Sequence, residues 1–61
     1  MKFHFQVIDA NREEHNPVIS DTNGYDALHT LIEVCKNNNV IPIIIAHVDT
    51  YQDEDDIPCI F

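Results

Sequence analysis

Near its start the chain alternates between apolar and polar side chains. Phe3, Phe5 and Val7 fall on one face, and the positions between them are polar. A period of two is typical of a half-buried strand, so residues 2–8 are predicted to form one. The polar stretch Asp9 to Asn16 then predicts a hairpin loop. Residues 17–20 predict a second strand, opened by a proline at a position where no amide donor is needed.

From Tyr25 the apolar spacing changes to that of a helix. The apolar stripe consists of Leu28, Leu31, Ile32 and Cys35. Asn23 is placed to cap the first turn, with Asp26 three residues later in the position of a capping-box acid. Three asparagines at positions 37–39 predict the end of the helix.

A longer strand is predicted from Val40 to Tyr51. Its first half is apolar on both faces, which is typical of a central strand. Regular alternation along it places Ile45, His47 and Asp49 on one face. The charged residues 52–56 predict a loop, and residues 57–61 predict a short closing strand on a sheet edge, because it contains a proline.

These elements predict a single α+β domain over residues 1–61. The predicted order is strand, strand, helix, strand, strand, with the helix packed on a small, mostly antiparallel sheet. We expect the row Phe3, Phe5 and Val7 to meet the apolar stripe of the helix.

Length and charge narrow the function classes. The chain has 61 residues, with 3 Lys and Arg against 11 Asp and Glu, a formal net charge of −8. A domain of this size buries only about 60% of its unfolded surface, which disfavours a deep pocket and an independent enzyme. Direct binding to nucleic acid or to an anionic membrane is disfavoured as well, because it needs a basic surface. A hydrophobic content of 44% argues against disorder.

The two cysteines and the lengths of the apolar segments indicate the cellular compartment. Cys35 and Cys59 are too few for a disulfide scaffold, so we interpret them as reduced, buried thiols of a cytoplasmic protein. The alternative is one bridge between them, if the helix packs over the sheet. The first residues lack the apolar core of a signal peptide, and the run from Val40 to Ala46 is too short to span a bilayer.

Five carboxylates gather in the last third of the chain, where no Lys or Arg follows Lys36. They are Asp49, Asp53, Glu54, Asp55 and Asp56. One interpretation is a solvated loop that aids solubility. The other is a partner-binding surface that imitates the phosphates of a nucleic acid and docks in a basic groove. Glu13 and Glu14 of the first loop can extend such a surface.

Catalytic and metal chemistry find little support. The four histidines have no recognisable ligand spacing, so we predict no metal and no cofactor. If the protein did bind zinc, His4, His47 and Asp49 would be the first candidate ligands. The single glycine excludes a phosphate-cradling loop. The only serine lacks an elbow motif, and Cys35 lies in an apolar stripe, where a thiol is unreactive. The chain is therefore not expected to be an enzyme.

The size, acidity and element order of the whole chain resemble small phage-encoded inhibitors. These include anti-CRISPR proteins, DNA mimics and phage inhibitors of host RNA polymerase, DNA glycosylases or restriction enzymes. The resemblance implies a non-catalytic inhibitor in the host cytoplasm, bound to a nucleic-acid-handling bacterial enzyme or complex. This chain departs from the strongest DNA mimics because its acids cluster in the C-terminal third.

A small homodimeric structural or regulatory module is the alternative. One helix can cover only one face of a sheet, yet the strand Val40–Val48 is apolar on both. The uncovered row would be an exposed apolar patch on a monomer, and we expect a second copy to bury it.

Overall fold

The computed structural model describes all 61 residues as one helix and a four-stranded, mostly antiparallel sheet, which confirms the predicted class. The elements are β1 (Lys2–Asp9), β2 (Glu14–His15), β3 (Val18–Ser20), α1 (Gly24–Asn37) and β4 (Pro42–Tyr51). The order is therefore strand, strand, strand, helix, strand. The predicted order was wrong, because an extra strand lies before the helix and the closing strand after β4 is absent.

β1 is the central strand, and its alternating sequence explains why. Phe3, Phe5 and Val7 are at most 5% exposed and form the floor of the core, whereas the residues between them are only half-buried. β4 pairs with β1 along one side over its whole length. β2 and β3 pair with β1 in antiparallel fashion elsewhere.

β2 and β3 share one register against β1. Val7 lies opposite His15 in β2, and His4 lies opposite Val18 in β3. His4 is three residues before Val7, and Val18 is three residues after His15, so the spacing is the same on both sides. The two short strands therefore follow one another along the same side of β1, interrupted at Asn16 and Pro17. The predicted loop Asp9–Asn16 was too long, because Glu14 and His15 pair back onto β1. Two polar residues carry no hydrophobic pattern from which that pairing could be predicted.

β4 lies at an edge of the sheet and not at its centre, since β1 is its only neighbour. Register shifts occur beside Ile43 and Val48, where one extra residue of β4 lies between consecutive pairs with β1. The bulge at Val48 corrects the predicted faces. Phe5 lies opposite His47 and His4 lies opposite Asp49, so His47 and Asp49 lie on opposite faces of the sheet.

α1 begins where the sequence predicts. The Asn23 side chain accepts a hydrogen bond from the amide of Asp26 at 2.9 Å, which satisfies one free donor of the first turn. Its buried positions are Ala27, Leu31 and Cys35, each 0% exposed.

The helix is rotated relative to the predicted stripe. Leu28 is only half-buried and Ile32 is 47% exposed, so the prediction that Ile32 belongs to the core was wrong. The physical reason is the position of the helix. α1 packs against β3, and its Ile32 side reaches an open groove of 390 Å³ at the start of β4 instead of the core.

The last residues form a tail and not the predicted strand. A single backbone hydrogen bond, from the Val18 amide to the Ile60 carbonyl at 2.7 Å, joins the tail to β3. Phe61 stacks on His15 with 5.6 Å between ring centroids. Cys59 is exposed on this tail, contrary to the prediction that it is buried, whereas Cys35 is buried as predicted, and both are free thiols.

Candidate functional site

The acidic run 53–56 forms a tight turn directly after β4, and every residue of it is exposed. The Gln52 amide donates to the Asp55 carboxylate at 2.9 Å, and the Asp55 amide donates to the Gln52 carbonyl at 3.1 Å. The side chain of Asp55 is therefore used to shape the loop itself.

The positive start of the chain holds this loop in place. The N-terminal ammonium of Met1 lies 2.9 Å from the Asp53 carboxylate, and Lys2 donates through Nζ to the carbonyls of Asp55 and Ile57 at 3.0 and 2.6 Å. The hydrogen bond from the ammonium, and then its charge, lower the pKa of Asp53 below the ordinary value. Two of the chain's positive groups are thus committed to anchoring the loop and tail.

Glu54 and Asp56 differ from their two neighbours. Neither side chain takes part in any hydrogen bond or ion pair of the chain. Asp49 is exposed as well, and its carboxylate accepts only from the adjacent Thr50 amide. Because Asp49 lies opposite His4 and Tyr51 lies opposite Lys2, all these carboxylates share one end of the sheet. We call the residues Asp49 and 53–56 the acidic end.

Glu13 and Glu14 lie elsewhere. Glu14 is opposite Ile8, which is six residues along β1 from Lys2, or about 20 Å at strand spacing. The structure therefore does not bring Glu13 and Glu14 together with the acidic end. They flank the opposite end of the sheet, beside the β1–β2 turn.

Sequence reasoning did not find the group of side chains in that turn. Ligand atoms of Asp9, Glu13 and His15 lie within 4.8 Å of one another. The Asp9 carboxylate accepts from the amides of Asn11 and Glu13, at 2.8 and 2.9 Å, and its second oxygen lies 2.8 Å from Nε2 of His15. An aspartate that begins a polar turn is the signal that could have indicated it.

This bonding assigns Asp9 to the turn. Its side chain is 7% exposed, and both of its oxygens have partners. The metal suspects named from the sequence are separated, since His4 and Asp49 lie on the face opposite His47. The expectation of no metal stays a prediction.

Replacing Asp9 with asparagine should weaken the fold and change its acid dependence. The hydrogen bond to His15, and next the Glu13 amide, lower the pKa of Asp9 below its ordinary value of 3.8. A carboxylate with a lowered folded pKa contributes stability above the unfolded pKa, and that contribution is lost as the pH falls through the folded value. Urea midpoints should therefore differ between wild type and D9N at pH 7 and converge below about pH 3.8.

Glu33→Gln is the matched control, because it removes one negative charge from an exposed helical position. Its urea midpoint should follow that of the wild type across the same pH range. An equal difference between D9N and wild type at every pH would show that the Asp9 charge adds nothing to stability.

A second surface is apolar. Four large residues of the β4 region are more than half exposed: Ile41, Ile43, Ile44 and Val48. None of them belongs to the core cluster, and they extend from the start of β4 toward the acidic end. An apolar strip beside a charged cluster is typical of a protein-binding surface.

The remaining chemistry is sparse. Cys35 is fully buried, and burial raises the pKa of its thiol, so it is a poor nucleophile. α1, with 14 residues, is the chain's only helix and falls short of what crossing a membrane requires. Comparison with protein family models, with curated proteins and with solved structures finds no match.

Proposed function

We propose that this protein is a non-catalytic inhibitor of the kind that phages encode. It binds a basic, nucleic-acid-binding surface of a bacterial enzyme or complex through its acidic end. The single observation that carries the proposal is the pair Glu54 and Asp56, two exposed carboxylates with no partner in the chain. They stand beside Asp49, which has no cationic partner either.

Electrostatics explains how such an end would work. Carboxylates placed side by side repel one another in the free protein, and Lys or Arg side chains of a partner relieve that repulsion. The chain's own nearby cations are already bonded to Asp53 and to backbone carbonyls. The outer carboxylates therefore keep their field, which steers a basic partner and accelerates association.

The positions of the acidic residues also limit how closely the protein can imitate a nucleic acid. Because Glu13 and Glu14 lie about 20 Å from the loop, no continuous row of carboxylates follows the chain as phosphates follow a nucleic acid strand. The proposal is therefore a local acidic plug in a basic groove, in the manner of an anti-CRISPR protein, and not a full replica of DNA.

Capture from a bacterial lysate tests this proposal. The full chain is immobilised at low salt, with and without excess duplex DNA, beside a fourfold neutralised control (Asp53→Asn, Glu54→Gln, Asp55→Asn and Asp56→Asn). The wild type should retain a DNA- or RNA-handling protein that the duplex displaces and that the control does not retain. Retention of the same proteins by both baits, unaffected by DNA, would contradict the proposal.

A small homodimeric structural or regulatory module is the second candidate. The observation that favours it is the exposure of three isoleucines at and just before the start of β4, Ile41, Ile43 and Ile44. In that function the acidic end would only keep the protein soluble, so neutralising it would change solubility and not binding.

A further inference from the structure

We propose that β4 pairs edge to edge with β4 of a second copy, antiparallel about a two-fold axis at Ala46. The inference is independent of the inhibitor function, because the acidic end takes no part in the pairing. It rests on the direction of the backbone groups of β4, on the distribution of charge along that strand and on the condition of the other sheet edge.

The backbone of β4 has free hydrogen-bonding groups on its outer side. The Phe5 amide donates to the Pro17 carbonyl at 2.9 Å, so Phe5 and the other odd-numbered residues of β1 direct their backbone groups away from β4. In an antiparallel ladder, the residues opposite them direct theirs away from β1 as well. Ile45 and His47 are those residues, and no other strand of the chain pairs with the outer edge of β4.

Bulges limit the regular part of this edge. Ile43 and Val48 are the extra residues of β4, so the stretch 44–47 between them keeps regular strand geometry. A two-fold axis at Ala46 pairs Ile45 of each copy with His47 of the other, which satisfies the outward amides and carbonyls of both. Ala46 then faces its own counterpart in the closest type of cross-strand pair, where a small side chain fits best.

Charge selects the antiparallel arrangement of two copies. The chain carries a net charge of −8, yet β4 has no carboxylate before Asp49. Antiparallel pairing about Ala46 separates the two Asp49 residues by six positions, or about 20 Å, which exceeds the screening length of about 8 Å at physiological salt. It also places the two acidic ends at opposite extremes of the joined sheet, whereas parallel pairing would bring them together.

The other edge of the sheet explains why pairing stops at two copies. The Val18 amide, on the outer side of β3, already donates to the Ile60 carbonyl, and the ring of Phe61 stacks on that of His15 in β2. With the tail bonded along one edge and the other edge free, association about a two-fold axis closes on itself. Ile44, the first residue of the regular stretch, lies beside this contact and is 57% exposed in the single chain.

Molar mass in solution is the first test. Light scattering at hundreds of micromolar should give twice the chain mass of 7.0 kDa for the wild type. Ala46→Glu, which puts two carboxylates against each other across the axis, should give a monomer with an unchanged circular dichroism spectrum. Tyr25→Glu adds the same charge on the exposed face of α1 and should leave the dimer intact. A wild-type monomer at every concentration would overturn the proposal.

Cross-linking tests the register and does not depend on the fate of A46E. Two cysteines bond when their Cα atoms lie about 4.4–6.8 Å apart, which the pair at the axis satisfies. In a Cys59→Ser background, mild oxidation should therefore convert Ala46→Cys into a covalent dimer, whereas Asp49→Cys should stay monomeric on a denaturing gel. Equal cross-linking of both variants, or of neither, would overturn the register at Ala46.

Discussion

Replacing Leu31 with alanine should lower the free energy of unfolding by about 2–5 kcal/mol. Leu31 is 0% exposed and packs with the row Phe3, Phe5 and Val7 in the only core cluster of the chain. Removing its side chain leaves a cavity, and in so small a core few neighbouring side chains can move to fill it. A chain of 61 residues has a total stability of roughly 3–9 kcal/mol at ordinary per-residue values, so one substitution can remove most of it.

Urea denaturation followed by circular dichroism measures this loss. Ile32→Ala is the matched control, since Ile32 is the next residue on the same helix and is 47% exposed. It should cost less than about 1 kcal/mol, because a half-exposed side chain gains only part of its transfer energy. If L31A proves too unstable to fold, Leu31→Met reports the same core at a smaller cost. Equal losses for L31A and I32A would show that the helix packs on a different face.

The second large effect concerns binding. Neutralising Glu54 and Asp56 together, to Gln and Asn, should weaken binding to the captured partner by about 2–5 kcal/mol, the cost of removing charges that are buried against Lys or Arg. The fold should be unaffected within about 0.5 kcal/mol, because these exposed side chains make no hydrogen bond or ion pair in the chain. Isothermal titration at fixed low salt measures the difference.

Asp53→Asn with Asp55→Asn is the control with the same change of charge. These side chains bind the N-terminal ammonium and the Gln52 amide, so the control should loosen the loop and tail. It should weaken binding less than the change at Glu54 and Asp56 does. Faster hydrogen exchange of the Val18 amide, which bonds to the Ile60 carbonyl, would report that loosening. If the control loses as much affinity as the first pair, the four acids act as one charge cluster and Glu54 and Asp56 have no special role.

Local sequence patterns were enough to predict an element wherever one hydrophobic period continued without interruption. The alternation around Phe5 predicted β1, and the spacing around Leu31 with the cap at Asn23 predicted α1. Each of these elements is determined by its own side chains and by one buried face. The α+β class followed from them, because one helix and a half-buried strand have few ways to pack.

The errors come from features that depend on contacts with distant parts of the chain. A bulge inserts one residue without any mark in the sequence, and the bulge at Val48 reversed the faces of every later residue, including Asp49. Similarly, β2 exists because Glu14 pairs with Ile8, and the acidic loop is held because Asp53 pairs with the N-terminal ammonium. The acidic loop itself could be predicted from composition, but its division into anchoring and free carboxylates could not.

The association rate as a function of salt tests the central claim most directly. With the captured partner purified, the rate constant is measured in increasing salt for wild type and for the variant that lacks the Glu54 and Asp56 charges. The wild-type rate should exceed that of the variant by about tenfold at low salt, fall more steeply, and converge with it at high salt. Identical rates with identical salt slopes would mean that the acidic end is only a solvated loop.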